Sequence, residues 1–477
     1  MGKESYLIKV EQLLSLEQSL DKILFNEVPI GGLFSKLLFG ISKNDLRKFN
    51  KQKYFFLFII SMHSVRNYLT KREFGKQNKI LFIRLTNRVN RKKLIDPFAL
   101  VFEHICTLFS SKPTFKSNNY LFKNLPSLSI KDTVSILVQT FRLYPKVKKE
   151  FKSWNVECDG IIVFNTLLSQ LLRLNTCINI FKNSNYRLVV CDFDRNDLTN
   201  PFVLAAKKFK IKTISLLHGA IYPPYGFVPL LADEIWCWGT LQKKLLEKMN
   251  VATEKIKIVG NPVAVQSHND VDEIQKIKVE YNLQDEVVLG IALNPIGFQN
   301  NKKLIDFFLT AIAHSKNFVV IIKLHPSMTE RDLNTDIVQD YKVRIFDHRK
   351  YSNEIFFDIC ELLFSRGSSL SYDAIINGLP VAMIDLDDME SNKGNMEVMV
   401  QYGGCPMFRM VDDLIPFLKA FANNISEGKR VLLATQKKFV SETYYYKIGQ
   451  DAIEEITSRI ENELNKNRSI VATQEAY

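Results

Sequence analysis

The sequence predicts an α/β protein with two parallel-sheet domains that are preceded by a helical region. Apolar runs of strand length alternate with helical stretches from residue 79 to residue 262. The alternation stops in a short polar stretch and starts again at residue 286. Strands that are separated by helices of this length form βαβ units, and the strands of such units lie parallel in one sheet. The restart indicates a second domain of the same kind.

The length and composition of the chain are sufficient for more than one hydrophobic core. It has 477 residues, of which 46% are hydrophobic and 24% charged, a composition that argues against wholesale disorder. Its seven cysteines include no C-x-x-C pair, so we expect neither a disulfide framework nor a zinc site. The longest apolar run, at 54–61, is less than half of the roughly 20 residues that a spanning helix needs. We expect a cytoplasmic protein, either soluble or peripheral at the inner face of the cytoplasmic membrane.

The N-terminal region, residues 1–75, is predicted to be helical and basic. Apolar residues from Leu7 to Leu20 recur at helical spacing, and the glycines at 31 and 32 interrupt the pattern. Residues 1–100 hold 19 Lys and Arg against eight Asp and Glu, and so carry most of the net charge of +13. Such a region suggests an anionic partner, in particular an anionic membrane surface. The alternative is a helical cap with a solvated basic face. Nucleic acid is an unlikely partner, because no nucleic-acid module is recognisable.

The first sheet domain is predicted at 76–265 and the second at 266–440. In the first we expect strands at 79–85, 187–193, 212–219, 232–239 and 255–262, a basic loop at 87–93, and helices at 162–174, 202–209 and 241–249. The polar stretch 266–272 is the predicted linker. In the second we expect strands at 286–293, 317–326, 342–347 and 379–387, a helix that runs into a strand at 354–364, and helices at 301–313, 370–377, 410–426 and 429–463. Residues 441–477 are assigned to a C-terminal helix and tail.

In open parallel sheets, ligands bind at the carboxyl ends of the strands. Two carboxylates, Asp192 and Asp194, follow one predicted strand of the first domain, and His218 follows the next. Each of the three is a candidate general base, because a carboxylate or an imidazole can take the proton of a hydroxyl group. The structural alternatives are a helix cap or a loop ion pair with Arg195 for the aspartates, and a satisfied strand-end histidine. Neighbouring candidates on this side, expected to face an acceptor, are Gly219, Tyr222 and Tyr225.

The second domain offers residues that suit a nucleotide. The candidates that follow its strands are Lys323, His325, Pro326, Arg366, Ser368, Ser369 and Asp373. A cation beside a histidine fits a phosphate or a base edge, and the serines precede a predicted helix whose first amide groups can bind an anion. Asp373 lies about one turn into that helix and could reach ribose hydroxyls. The alternatives are an ordinary serine N-cap and a satisfied histidine.

Several known motifs are absent from the sequence. It contains neither G-x-x-x-x-G-K-[ST] nor G-x-G-x-x-G, which argues against P-loop and classical dinucleotide-binding proteins. The only D-x-D candidate is formed by Asp192 and Asp194, and this spacing occurs often by chance. We therefore expect no metal and no cofactor.

The quoted residues resemble GT-B glycosyltransferases of bacterial surface-polysaccharide loci, over about residues 79–452. The resemblance is densest at 212–262, 319–327 and 364–386. It implies two Rossmann-like domains with a central cleft, with the donor nucleotide on the second domain and the acceptor on the first. The retaining pattern of two glutamates is not met, because Ser365 and Asp373 stand at those positions. This departure favours inverting chemistry.

The His-Pro and Ser-Ser elements are also similar to those of enzymes that use cytidine nucleotides. These are bacterial sialyltransferases, Kdo transferases of capsule synthesis and CDP-glycerol glycerophosphotransferases. The similarity implies that His325, Pro326, Ser368 and Ser369 contact a nucleotide monophosphate, and that His218 corresponds to a histidine of the CDP-glycerol enzymes.

The predicted function is transfer of a sugar from a nucleotide-activated, CMP-linked donor to a glycan or lipid-linked acceptor in surface polysaccharide biosynthesis. The enzyme alternatives are a CDP-alditol phosphotransferase of teichoic-acid or capsule type and a sugar-nucleotide 2-epimerase. An inactive scaffold of a polysaccharide assembly complex is the non-enzyme alternative.

Overall fold

The computed structural model of the chain describes 3–42, 79–84, 89–110, 121–122 and 128–474. Within the last range it leaves out 220, 222–225, 265, 267–268, 284–285, 294–297, 314–316, 326–327, 330–332, 334–341, 348 and 387–392. Tyr222, Tyr225 and Pro326 therefore lie outside the described residues, as do residues 43–75 of the predicted helical region and part of the predicted linker. The division of the chain at residues 76, 266 and 441 stays a prediction.

The described N-terminal region is helical only in part. Helices α1 (Lys3–Leu20) and α2 (Ser35–Ser42) flank a short hairpin of β1 (Leu24–Phe25) and β2 (Val28–Pro29), and a 3-10 turn follows at Gly31–Phe34. The hairpin turn places Asn26 and Glu27 at positive φ. A Cβ atom at Gly31 would lie 2.2 Å from the Glu17 carbonyl oxygen. Helix α1 therefore packs directly on the turn, and the helical prediction is wrong at the hairpin, residues 24–29.

The first sheet has seven strands that all run parallel. In sheet order they are β5 (Leu121–Phe122), β4 (Cys106–Ser110), β3 (Ile80–Arg84), β6 (Leu188–Cys191), β7 (Lys212–Leu216), β8 (Glu234–Cys237) and β9 (Ile256–Ile258). All five predicted strands are confirmed, whereas β4 and β5 were not predicted. Because the strands are parallel, their carboxyl ends meet at one edge.

Among the described residues, five helices accompany this sheet: α3 (Val89–Val101), α4 (Ile130–Ser153), α5 (Gly160–Lys182), α6 (Asn200–Lys208) and α7 (Thr240–Lys248). The predicted basic loop at 87–93 is wrong from residue 89 onward. Leu94, Ile95 and Phe98 recur at helical spacing and are buried against the sheet. Their burial stabilises the helix, although its first turn is basic. Helix α4 was not predicted, although Ser129 caps it by accepting a hydrogen bond from the Asp132 amide at 3.0 Å.

One described helix, α5, is long and apolar enough by length and composition to cross a membrane. Its most apolar window has a mean hydropathy of 1.4, and 72% of that window is buried within the protein. Leu167, Leu171 and Leu174 of this helix belong to the core that also holds Val189 of β6. Its apolar surface is thus mostly covered by the first domain.

The second sheet has six parallel strands. In sheet order they are β12 (Val343–Phe346), β11 (Phe318–Lys323), β10 (Val287–Ala292), β13 (Leu362–Ser365), β14 (Val381–Ile384) and β15 (Met407–Phe408). The accompanying helices are α8 (Val271–Glu280), α9 (Phe298–Ile312), α10 (Asn353–Ile359), α11 (Leu370–Ile376), α12 (Lys393–Gln401) and α13 (Val411–Asn423). The predicted strands are confirmed, and the mixed stretch at 354–364 resolves into α10 followed by β13.

The C-terminal part of the chain returns to the first domain. Helix α14 (Ile425–Phe439) continues into a π-helical turn at Val440–Tyr444, and helix α15 (Gly449–Gln474) follows. Ile456 and Ile460 of α15 pack with Trp236 in a core of the first domain. The predicted continuous helix at 429–463 is therefore wrong at 445–448, where the chain leaves the helical conformation. In that crossing segment the Tyr446 amide donates to the Trp238 carbonyl at 2.8 Å, a bond to the first domain that an unbroken helix could not make.

Candidate functional site

Lys323 ends β11 at the carboxyl edge of the second sheet. Its side chain is buried, only 6% exposed, and it makes no hydrogen bond or ion pair with any of the described residues. Burial lowers the pKa of its amine to about 8, against the opposing attraction of the Glu354 carboxylate. An amine held in this way can satisfy its charge on an anionic ligand. His325 follows two residues later and is partly exposed.

The serine-rich turn after β13 has a defined hydrogen-bond pattern. The Ser368 amide donates to the Ser365 hydroxyl at 3.2 Å, and the Ser368 hydroxyl accepts from the Leu370 amide at 3.3 Å. Gly367 between them has a φ of +70°, a conformation that glycine adopts without strain. Ser368 thus caps the first turn of α11. This is the structural role that was the alternative to nucleotide binding for the serines. The Ser369 side chain makes no capping hydrogen bond, so its hydroxyl is not used by the helix end, and its role in nucleotide binding stays a prediction.

Arg366 lies in the same turn and is buried. Burial lowers the pKa of its guanidinium, and attraction to the Asp385 carboxylate opposes this shift. Asp385 follows β14 and accepts hydrogen bonds from Nε and Nη2 of Arg409 at 3.0 and 2.9 Å. The Arg366 guanidinium therefore lies near the Asp385 carboxylate, and its positive charge raises the electrostatic potential at the serine-rich turn.

Asp373 and Glu354 supply the negative charge of this edge. Asp373 Oδ1 accepts a hydrogen bond from the Tyr445 hydroxyl at 3.1 Å. Burial raises the pKa of the Asp373 carboxyl to about 7, with a further increase from Glu354 and an opposing effect of Lys93. Glu354 acts electrostatically on both Lys323 and Asp373, so it belongs to the site. The sequence prediction missed it, because it lies in the stretch that was read as a helix running into a strand.

In the first domain His218 packs against two aromatic rings. Its imidazole centroid is 4.7 Å from the Phe193 ring, in an edge-to-face arrangement, and 5.8 Å from the Phe227 ring, in a stacked one. The residue is partly exposed and comes two positions after the end of β7. The two rings restrict the orientation of the imidazole, which a general base requires.

The two candidate aspartates are buried. Asp194 Oδ2 accepts hydrogen bonds from the Leu231 and Ala232 amides at 2.7 and 2.8 Å. Burial raises the pKa of its carboxyl in spite of these bonds and the nearby Arg195. These contacts favour a structural role for Asp194, which anchors the segment before β8. Asp192 is also fully buried. The role of general base stays a prediction for both aspartates. No group of three or more His, Cys, Asp and Glu that could hold a metal ion occurs within the described part of the chain.

Arg84, which was not among the predicted site residues, lies at the same edge of the first sheet. It ends β3, directly beside the Cys191 end of β6, and its side chain is fully buried. Its Nη1 forms an ion pair with Asp96 of α3. The signal in the sequence is an arginine that closes an apolar strand. The Asp96 carboxylate balances the charge of Arg84 at the edge that carries Asp192, which favours a structural role for this arginine.

Gly219 faces open space. A Cβ atom at this position would have no heavy atom within 4 Å among the described residues, whereas one at Gly239 would lie 2.5 Å from the Tyr444 carbonyl oxygen. The described residues thus leave space beside Gly219, and its place on the acceptor side stays a prediction.

We expect Gly219→Ala to leave the urea midpoint of unfolding unchanged. The matched Gly239→Ala should lower stability by about 1–3 kcal/mol, because its methyl group overlaps a backbone carbonyl that cannot move aside cheaply. Urea unfolding of both variants measures this difference. Equal losses would show that the space beside Gly219 is filled.

Contacts between the two domains bring their carboxyl edges together. Lys93 of α3 attracts Asp373 of α11, and one apolar cluster contains both Leu217 after β7 and Tyr372 of α11. In the crossing segment Tyr445 packs on Trp238 of the first domain, with ring centroids 5.6 Å apart, while its hydroxyl holds Asp373. The predicted donor-side and acceptor-side residues therefore lie on two edges that meet.

Two solved structures are similar to the chain over most of their length. MnaA of S. aureus, in a structure with UDP, is 13% identical, and the match covers 81% of this chain and 97% of that one with a TM-score of 0.51. HepE of Anabaena, in complex with UDP-glucose, is 12% identical, with 81% and 99% covered and a TM-score of 0.50. No protein-family model matches the sequence, and no curated protein matches it.

These similarities concern the fold. Together with the two parallel sheets, they confirm the predicted fold class, which is two Rossmann-like domains in the GT-B arrangement. Both similar structures contain a uridine nucleotide, so the predicted cytidine preference gains no support from them.

Proposed function

We propose that the chain is a glycosyltransferase that takes a sugar from a nucleotide-activated donor. The observation that carries this proposal is the environment of Lys323 at the carboxyl end of β11. Its amine is almost completely buried and makes no ion pair with the described residues. A buried charge of this kind is unfavourable unless a ligand compensates it. A phosphate group of a nucleotide would supply that compensation, and the Ser369 hydroxyl lies at the same sheet edge, two strands away, after β13.

The residues of the two edges take separate roles in the proposed reaction. The acceptor hydroxyl loses its proton to the His218 imidazole, and its oxygen attacks the anomeric carbon of the sugar. The bond from that carbon to the phosphate oxygen breaks, and the nucleotide leaves with the electron pair. Lys323 stabilises the negative charge that develops on the phosphate. Asp373 and Glu354 are placed to accept hydrogen bonds from ribose or sugar hydroxyls.

The identity of the nucleotide is open to a direct test. The His-Pro and Ser-Ser elements favour a cytidine nucleotide, whereas the fold is shared with proteins that hold UDP and UDP-glucose. Thermal-shift measurements with CMP, CDP, UDP and GDP distinguish these, because a ligand that binds only the folded chain raises its melting temperature. A shift with none of the four nucleotides would contradict the proposal.

We expect His218→Ala to lower the rate of sugar transfer by about 10²- to 10⁴-fold, because the general base is lost. The thermal shift with the preferred nucleotide should stay unchanged, since His218 lies on the other sheet edge. The matched control is His104→Ala, which removes a histidine whose side chain is 88% exposed, and which should leave transfer unchanged.

Product analysis separates the proposed reaction from its alternatives. A new glycosidic bond supports sugar transfer, whereas a phosphodiester product supports alditol-phosphate transfer, and a released epimer supports an epimerase. The proposed acceptor is a glycan or a lipid-linked glycan of surface polysaccharide biosynthesis, and the proposed transfer needs no metal. Nucleotide binding without any turnover of donor and acceptor would favour the scaffold alternative.

A further inference from the structure

Helix α4 carries an exposed apolar stripe. Ile130, Val134, Val138 and Phe141 are between 45% and 71% exposed. At 100° per residue, their spacing places all four within about 80° of the helix circumference. The neighbouring helix α5 extends the stripe with Ile161, because Phe141 packs on Phe164 of that helix with ring centroids 5.1 Å apart. Scattered apolar residues are normal on a surface, but a continuous stripe indicates an interaction site.

Basic side chains line one side of the stripe. Four exposed cations occupy the adjoining arc of about 60°, and these are Lys131, Arg142, Lys146 and Lys149. The helix has six Lys and Arg against two acidic residues. The two acidic side chains hydrogen-bond to serines, Asp132 to the Ser129 hydroxyl at 2.7 Å and Glu150 to the Ser19 hydroxyl. Because the cations outnumber the carboxylates, the helix carries a net positive charge beside the stripe.

An apolar face beside a row of lysine and arginine fits the surface of an anionic bilayer. The apolar side chains enter the boundary of the acyl chains, and the cations meet the lipid phosphates. A second copy of this chain fits less well, because the basic flanks of two such faces would repel each other.

The stripe lies on the helical layer that borders the carboxyl edge of the first sheet. Arg173 of α5 donates a hydrogen bond at 2.7 Å to the carbonyl of Asp197, in the loop that follows β6. Phe164 lies nine residues earlier on α5, about 13 Å along the helix. A bilayer under the stripe would thus lie near the edge that carries His218.

We propose that the α4 stripe and its basic flank form a binding surface for an anionic lipid bilayer. This inference goes beyond the proposed reaction and does not depend on it. It also differs from membrane attachment through the basic N-terminal region, because it assigns the contact to residues 130–149.

Vesicle flotation of the full chain tests the proposal. At low salt the chain should float with vesicles of phosphatidylcholine and phosphatidylglycerol, and should stay in the bottom fraction with phosphatidylcholine alone. Val134→Ser combined with Phe141→Ser should lower the partition coefficient by at least about tenfold, since two apolar anchors are lost. Arg142→Gln combined with Lys146→Gln should weaken binding several-fold and reduce its salt dependence.

Matched controls exist on the second domain. Val271 is 80% exposed and has acidic neighbours at 270, 272 and 273, so Val271→Ser should leave flotation unchanged, as should Lys276→Gln. An unchanged urea midpoint of the stripe variants will show that they are folded. The proposal is overturned if the wild type fails to float with anionic vesicles or if the stripe variants float as well as the wild type. It is also overturned if the chain is a dimer in sedimentation that the same substitutions dissociate.

Discussion

Lys323→Met is expected to weaken nucleotide binding by about 10- to 100-fold while the chain becomes as stable as the wild type or more stable. The loss of affinity follows from the removal of a charge-assisted bond to phosphate, worth about 1.5–3 kcal/mol. A folding defect cannot explain such a result, because stability would change in the opposite direction. Titration calorimetry and urea unfolding of the same preparation measure both effects.

The direction of the stability change follows from the pKa of Lys323. Burial lowers it from an ordinary 10.5 to about 8, so the charged amine is disfavoured in the folded chain relative to the unfolded one. Below pH 8 the amine is charged in both states, and the cost to the wild type is on the order of 3 kcal/mol. Between pH 8 and 10.5 the folded chain releases the proton first and the cost declines. The stabilisation by methionine should therefore be largest near neutral pH and vanish above pH 10.5.

Nucleotide binding should show the complementary pH dependence. The protonated amine attracts phosphate, so the affinity of the wild type should fall as the pH rises through about 8, and the methionine variant should lack this step. Lys419→Met, which replaces an exposed lysine of α13, is the control and should change neither property. Unchanged affinity in Lys323→Met would exclude Lys323 from the nucleotide site.

Glu17→Gln should destabilise the chain by about 3–5 kcal/mol, the usual cost of breaking a buried ion pair. Arg195 binds both carboxylate oxygens of Glu17, at 2.9 and 2.7 Å, and both side chains are 1% exposed. The substitution leaves the buried guanidinium charge without its carboxylate. Because the pair joins α1 to the loop after β6, urea unfolding should show the loss as a lower midpoint.

Two further variants separate the charge from the packing. Glu17→Leu combined with Arg195→Leu removes both charges, and should recover much of the stability that Glu17→Gln loses. Glu27→Gln breaks the exposed pair with Lys208, where the Glu27 side chain is 86% exposed, and should cause no measurable change. Equal effects of Glu17→Gln and Glu27→Gln would contradict the importance of burial.

Local patterns in the sequence were sufficient to predict the strands that carry the site. The apolar runs before Asp192, His218, Lys323 and the serine-rich turn all form parallel strands, because a continuous apolar run suits a strand that is buried on both faces. Edge strands were harder to predict. Strand β5 has two residues, and such a segment has too little periodicity to stand out from a loop.

The roles of individual polar residues depended on contacts between distant parts of the chain. Asp194 and His218 are both candidate bases in the sequence, but only the fold brings the Leu231 and Ala232 amides to Asp194 and two aromatic rings to His218. Glu354 became a site residue for the same reason, since its neighbours Lys323 and Asp373 lie on other elements.

The sequence by itself determined the two-sheet architecture and the strand ends at which a ligand can bind, because periodicity and turn residues act over a few positions. Only the tertiary structure decided that the chain crosses back to the first domain at 440–448, that Tyr445 holds Asp373, and that Lys323 is buried without an ion pair among the described residues. These properties arise from residues far apart in the chain, and burial and charge compensation are set where such residues meet.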